Sequence, residues 1–408
     1  MRPPTPWTRL QGLLFYAAMA LFLATQSRRL LGGAGLGDLA GMAFVLVSLP
    51  RRSALPTWVQ ASLLMLVSGF LVGTTANQLA GWSQIVSLRD LFALVFALAF
   101  ASAAIEYLQT CACPELILAR ALSAAMVVQV LPLMLLAAGV QTDAWLTDSD
   151  LPGIPFLSRY TGFSDNPNQL GMLLCAFPFV AAAGLRVRQS RLSKAFLIFS
   201  ILAFLPIAVF VKSNTVFSAY IIGGSVWVVL QLNQWTRPPR ERTDTQLRMA
   251  LTVCLMLVAV VAFALYAGES VKKTDDGDAN GRFPLWLHAA QGVAQSFFLG
   301  VGAGGQSGDL APFQGSEAHN QLLDFTLQGG LMAVSAYLLL LWGSAREILR
   351  RKSTLCACVF TAIVVEQLTH YTARQPISWV YIMLIFALIK PVGVPQAARA
   401  QTLSAAAS

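Results

Sequence analysis

One histidine and three basic side chains carry the residue types and spacing that could do chemistry. His319 lies in Glu317-Ala318-His319-Asn320-Gln321, directly before an apolar run. A histidine at a helix N-terminus has its neutral form favoured by the positive end of the helix dipole, so it can accept a proton near pH 7. It could equally be a structural histidine satisfied by its neighbours. Arg159 stands in Ser158-Arg159-Tyr160-Thr161-Gly162, shortly before Asn166-Pro167-Asn168, and Arg282 stands in Gly281-Arg282-Phe283-Pro284-Leu285-Trp286. Guanidinium groups are suited to forked hydrogen bonding of phosphates, although each arginine alone could as well contact lipid headgroups. Lys212, in a very short break between apolar runs, could add a third positive charge.

Other patterns carry less. Gly300-Val301-Gly302-Ala303-Gly304-Gly305 contains G-x-G-x-x-G, but a dinucleotide fingerprint needs a preceding strand and a βαβ unit. It reads as a flexible turn where backbone could approach a ligand closely. Asp275-Asp276-Gly277-Asp278 lacks the alternating oxygen ligands and terminal glutamate of a calcium loop, so it reads as a solvated acidic loop, and no metal site is expected. The pairs Cys111/Cys113 and Cys356/Cys358 have the wrong spacing for a C-x-x-C motif and read as packing. His288 reads as packed or interfacial, and His370 beside Tyr371 is ambiguous.

The elements that must position these residues are apolar helices. Of 408 residues 56% are hydrophobic and only 12% charged, with a mean hydropathy of +0.63. A soluble chain carries about 25% charged residues. Apolar runs such as Leu91–Ala104 and Ala195–Val211 are apolar all round and, with their flanks, approach the roughly 20 residues that cross a bilayer. The expected fold is an all-α polytopic membrane protein with about 12 transmembrane helices in a single domain over 1–408. They are predicted near 10–26, 36–50, 57–74, 90–108, 117–139, 167–185, 195–211, 216–234, 249–267, 322–345, 354–371 and 377–391.

Orientation follows from basic residues, which collect in cytoplasmic loops. Placing both termini in the cytoplasm puts most of the 28 Lys and Arg inside, including Arg51/Arg52 and Arg346/Arg350/Arg351/Lys352. The net charge of +9 then belongs to topology and does not point to nucleic acid. Two outer segments, 140–167 and 268–322, are long enough to be functional. The second contains a predicted amphipathic surface helix over 283–298, with Trp286, Ala290, Val293 and Phe297 on one face. A transporter would need ionisable residues in mid-membrane. Asp38, Asp90, Glu366 and Asp324 are the candidates, and most stand near helix ends.

Taken in order, these features resemble the superfamily of membrane O-antigen ligases and polymerases. The matching residues are Arg159, Gly162 and Asn166-Pro167-Asn168-Gln169, then Gly281-Arg282, Trp286 and Gly300–Gly304. Last come His319-Asn320, nine residues, and Gly330. The family's Thr-x-Ser-Arg-Gly stretch is replaced by Lys212-Ser213-Asn214-Thr215, and Ala333 stands where Gly, Thr or Tyr is common.

The resemblance implies an inner-membrane glycosyltransferase that moves O-antigen polysaccharide from undecaprenyl diphosphate to lipid A–core at the periplasmic face, within lipopolysaccharide assembly. Arg159, Arg282 and Lys212 would bind the diphosphate and His319 would be the catalytic base. Asn166, Asn168, Trp286, Asn320 and Gln321 would shape the site. The implied transfer is a single inverting displacement without metal or cofactor. Its partners would be the lipid-linked donor, the lipid A–core acceptor and membrane lipids. An O-antigen or capsule polymerase and a protein O-oligosaccharyltransferase are the rivals inside the family. A lipid-linked sugar transporter is the rival outside it.

Overall fold

The computed structural model describes residues 6–25, 35–49, 55–80, 88–139, 146–147, 159–163, 167–211, 213–235, 282–296, 298–304 and 317–388. Among them are twelve helices: α1 (Pro6–Thr25), α2 (Leu36–Ser48), α3 (Thr57–Ala80), α4 (Leu88–Thr110), α5 (Pro114–Ala137) and α6 (Pro167–Arg186) come first. They are followed by α7 (Arg191–Val211), α8 (Asn214–Trp235), α9 (Arg282–Gln295), α10 (Gln321–Arg351), α11 (Thr354–Gln367) and α12 (Pro376–Ala387). The antiparallel pair β1 (Leu146–Thr147) and β2 (Arg159–Tyr160) supplies the strands among the described residues. Of the expected dozen crossings, five helices are long and apolar enough to span a membrane: α3, α4, α5, α7 and α10. The helix predicted over 249–267 lies outside the described residues.

Several boundaries differ from the sequence expectation for local reasons. Helix α5 starts at Pro114, a residue whose missing N–H costs nothing in a first helical turn. Helix α3 runs past the predicted residue 74 to Ala80, because Gly73, Thr74 and Asn77 pack against the glycine turn at 300–304. Helix α10 continues to Arg351 and is closed by Lys352 in the left-handed conformation. Helix α11 stops at Gln367, which leaves His370 in a loop.

The chain divides into two compact units. The first comprises Met1–Ala54, Ala99–Val216 and Met383–Ser408. In it α1 packs on α2 and α5, and α5, α6 and α7 pack on one another. Phe15 contacts Phe44 and Tyr107, while Phe100 contacts Phe22 and Phe44, with ring centroids 4.9–5.6 Å apart. Asp38 has a capping role there: its carboxylate accepts the Gly35 N–H at 2.8 Å at the start of α2.

The second unit comprises Leu55–Leu98 and Phe217–Ile382. Its centre is α3 against α10. Gly69 meets Gly329 and Ala333, Gly73 meets Gln328, and Trp58 meets Gly343, so the two helices run antiparallel. A Cβ on Gly73 would stand 2.4 Å from the Gln328 carbonyl oxygen. Between membrane helices, where water supplies no apolar driving force, such close backbone approach is what dispersion packing requires. Phe70 and Phe325 meet edge-on at 5.6 Å, and Phe325 continues to Tyr337 and Trp379.

Helix α10 is broken at Gly330, whose φ of 65° and ψ of −165° are in practice open only to glycine. The glycine turn fills the break. The N–H groups of Val301 and Gly302 donate to the carbonyls of Leu327 and Gln328 at 2.7 and 2.9 Å, and the Leu331 N–H donates to the Phe298 carbonyl at 2.9 Å. Irregular backbone is tolerated within a membrane-embedded fold when its polar groups find protein partners in this way.

Candidate functional site

His319 stands one residue before the cap of α10, half-buried, in a left-handed conformation with φ 52°. Histidine is one of the few side chains that enter this region with some frequency. Three local interactions set its backbone. The Asn320 side chain accepts the N–H groups of Leu322 and Leu323 at 3.1 and 3.2 Å and caps the helix. The buried Asp324 carboxylate accepts the N–H groups of Ala318 and Asn320 at 3.0 and 3.1 Å. From the other side, the Trp286 indole N–H donates to the Ala318 carbonyl at 2.9 Å. Asp324 therefore works as a capping carboxylate.

Helix α9 is pinned to this segment. Ala289, Val293, Val301, Ala318 and Leu327 form one buried cluster, with Trp286 and Leu323 packed against it. The packed face is Leu285, Ala289 and Val293 with Trp286 at its edge, and it meets protein. Ala290, expected on that face, is exposed, and Phe297 lies outside the described residues. The close approach of the glycine turn is likewise to α3 and α10, where the sequence reading allowed for a ligand.

Gln321 is buried and accepts the Thr372 N–H at 2.7 Å, while Asn320 donates to the Leu368 carbonyl at 3.1 Å. These bonds hold the start of α10 to the loop at 368–375. That loop supplies what the sequence reading missed. Arg374 donates to Asp90 at 2.9 Å and pairs with Glu317, two residues before His319. Its guanidinium also lies 5.5 Å from the Tyr371 ring centroid. Burial lowers the Arg374 pKa, but Glu317 and Asp90 outweigh it, so the group is held above the ordinary arginine range and stays charged. Burial pushes the Glu317 carboxyl above the usual glutamate range, against the pull of Arg374 and with Asp90 adding to the rise.

His370 completes the surroundings. Its Nδ1 is 3.1 Å from a carboxylate oxygen of the fully buried Glu366 and 3.2 Å from the Thr369 hydroxyl. The His319 and His370 rings meet edge-on with centroids 6.4 Å apart. The Tyr371 hydroxyl donates to Gln328 at 3.2 Å, and the same oxygen of Gln328 accepts the Gly304 N–H at 3.2 Å. One polar network thus joins the start of α10, the glycine turn and the 368–375 loop. Among the described residues no group of three His, Cys, Asp or Glu side chains converges as a metal site would.

The remaining expected site residues divide by how much of them is described. Arg159 is on β2, whose neighbour Tyr160 is buried and donates its hydroxyl to the Gln129 carbonyl at 2.5 Å. Gly162, with φ 60°, passes so close to Gln129 that a Cβ would stand 2.1 Å from its amide oxygen. The backbone of Arg159 is fixed on the first unit by these contacts, and its side chain lies outside the described residues. Asn168 is the second residue of α6 and Arg282 the first of α9, again without described side chains. Lys212 and Asn166 lie outside the described residues altogether. Arg374 had one signal in the sequence: it is the single charge between two apolar runs, in Tyr371-Thr372-Ala373-Arg374-Gln375, with no acid nearby in sequence.

No protein-family model matches the chain, and no curated protein matches it.

Proposed function

We propose that this chain is a membrane glycosyltransferase of the O-antigen ligase type. It would move a glycan from undecaprenyl diphosphate to a hydroxyl of a lipid A–core acceptor at the periplasmic face of a bacterial inner membrane. The observation that carries the reading is His319, half-buried and fixed at the start of α10 between the Trp286 and Asn320 contacts. Its imidazole would take the proton from the acceptor hydroxyl as that oxygen attacks the anomeric carbon. The bond from the anomeric carbon to the donor phosphate oxygen breaks, and its electron pair leaves with the diphosphate. Arg282, on the first turn of the helix that carries Trp286, would meet the charge that grows on the leaving group. A single displacement of this kind inverts the anomeric carbon. Lipid diphosphate is already a good leaving group, so the reading calls on no cofactor or metal. Arg159 and Lys212 are further diphosphate ligands in the same proposal, each open to its own substitution.

The test is deletion of the gene in its native bacterium, followed by analysis of the lipopolysaccharide. The proposal expects core-only lipopolysaccharide with accumulated lipid-linked polymer. A single repeat unit on the core would replace the ligase by a polymerase. Unchanged lipopolysaccharide would overturn both.

A further inference from the structure

At the end of α10 far from His319, a groove of about 640 Å³ runs between the last turns of that helix and the first turns of α3. Trp58, Met65, Leu339 and Trp342 line its length, and Arg346 and Arg350 stand at one end. Both helices are long and apolar enough to cross a membrane. The groove owes its shape to Gly343, where a Cβ would stand 2.0 Å from the Trp58 ring. Trp342 and Leu339 keep 69% and 52% of their surface exposed, so an apolar wall of the groove is left uncovered by the protein. Tryptophans and arginines at the end of a spanning helix mark the level of the headgroups.

The charges at this end do not balance. On this turn Arg346, Arg350, Arg351 and Lys352 stand with one carboxylate, Glu347, among the described residues. That carboxylate is taken by its neighbours: Arg350 donates to it at 2.7 and 2.8 Å, and Arg351 pairs with it as well. Arg346 is exposed and has no ion-pair partner among the described residues. A guanidinium with no counter-ion among the described residues, at the mouth of an aliphatic and aromatic groove, suits a ligand with a phosphate at one end and a hydrocarbon chain at the other. Free phosphate would leave the groove empty, and a zwitterionic lipid would bring its own cation to Arg346. We propose that this groove binds an anionic phospholipid, its phosphate on Arg346 and one acyl chain laid between Trp58, Met65, Leu339 and Trp342.

Native mass spectrometry of the full chain, released from vesicles of equal phosphatidylglycerol and phosphatidylcholine with matched acyl chains, tests this. Phosphatidylglycerol should be retained over phosphatidylcholine by about fivefold, the preference expected from one basic residue at an anionic surface. Arg346→Gln should bring the ratio close to one, while Arg188→Gln, an exposed arginine of the first unit, should leave it unchanged. Ala61→Phe, which fills the groove, should lose the bound lipid itself. Inorganic phosphate should not compete. Equal retention of the two lipids by the unaltered chain would overturn the proposal, and so would an unchanged ratio in Arg346→Gln. Full retention in Ala61→Phe would remove the acyl-chain assignment, and displacement by phosphate would make the site one for a free anion.

Discussion

Helix α10 carries a charged cluster at each end, and the two are built by different physics. At the C-terminal end, Glu347, Arg350 and Arg351 are neighbours three and four positions apart on an exposed turn. Any helix with that spacing makes such pairs, and in water they are screened and contribute little to stability. At the N-terminal end, Glu317, Arg374 and Asp90 come from three segments, the partners lying 57 and 284 positions from Arg374 in sequence. These groups are half-buried, so each ion gave up part of its hydration on folding and relies on the others to replace it. The first cluster decorates a helix end. The second ties the segment bearing His319 to α4 and to the 368–375 loop, and only the tertiary fold can assemble it.

Substitutions at the two ends should separate these roles. Arg374→Ala is expected to have the largest effect, because it frees the 317–320 segment and leaves two acids facing each other. Loss of transfer activity by about 100-fold is the size expected when a catalytic group shifts by an ångström. Arg374→Lys should recover part of that rate by restoring the charge without the fork, which a purely steric role would not predict. Equal rates for Arg374→Ala and the unaltered chain would erase the distinction between the clusters.

The next effect concerns pH. Because burial raises the Glu317 pKa above its unfolded value, the folded state holds a proton more tightly than the unfolded state. Stability from this group is therefore full below the usual glutamate range and is lost as pH rises toward the elevated folded value. Glu317→Gln should flatten that part of a melting-temperature profile. A profile that keeps its slope in Glu317→Gln would assign the titration elsewhere. The smallest effect is expected for Glu347→Ala, with stability changed by less than about 1 kcal/mol and transfer unchanged. A large loss of activity there would join the C-terminal end to the site and break the comparison.

The helices were legible because their apolar runs are local, and most observed spans lie within a few residues of the predicted ones. His319, Asn320 and Trp286 were legible as residue types beside a helix start. The polar tertiary links were not. Nothing near Arg374 in sequence shows that Asp90 and Glu317 will meet it. The meaning of the glycine turn was also hidden, since Gly300 and Gly302 serve the break at Gly330 about 30 residues later. The packed face of α9 was misjudged at Ala290 because the sequence shows an apolar stripe but not which edge of it α10 covers.

In the proposed transfer His319 accepts a proton from the acceptor hydroxyl, and replacing it in purified protein exposes that role. Purified His319→Asn protein should be compared with the unaltered chain for transfer from lipid-linked glycan to lipid A–core. Asparagine tolerates the left-handed backbone at this position, so the start of α10 should remain formed. The expected rate is lower by about 100-fold to 10,000-fold, the range for loss of a general base, with the protein still folded and inserted. Transfer at the unaltered rate in a folded His319→Asn protein would contradict it.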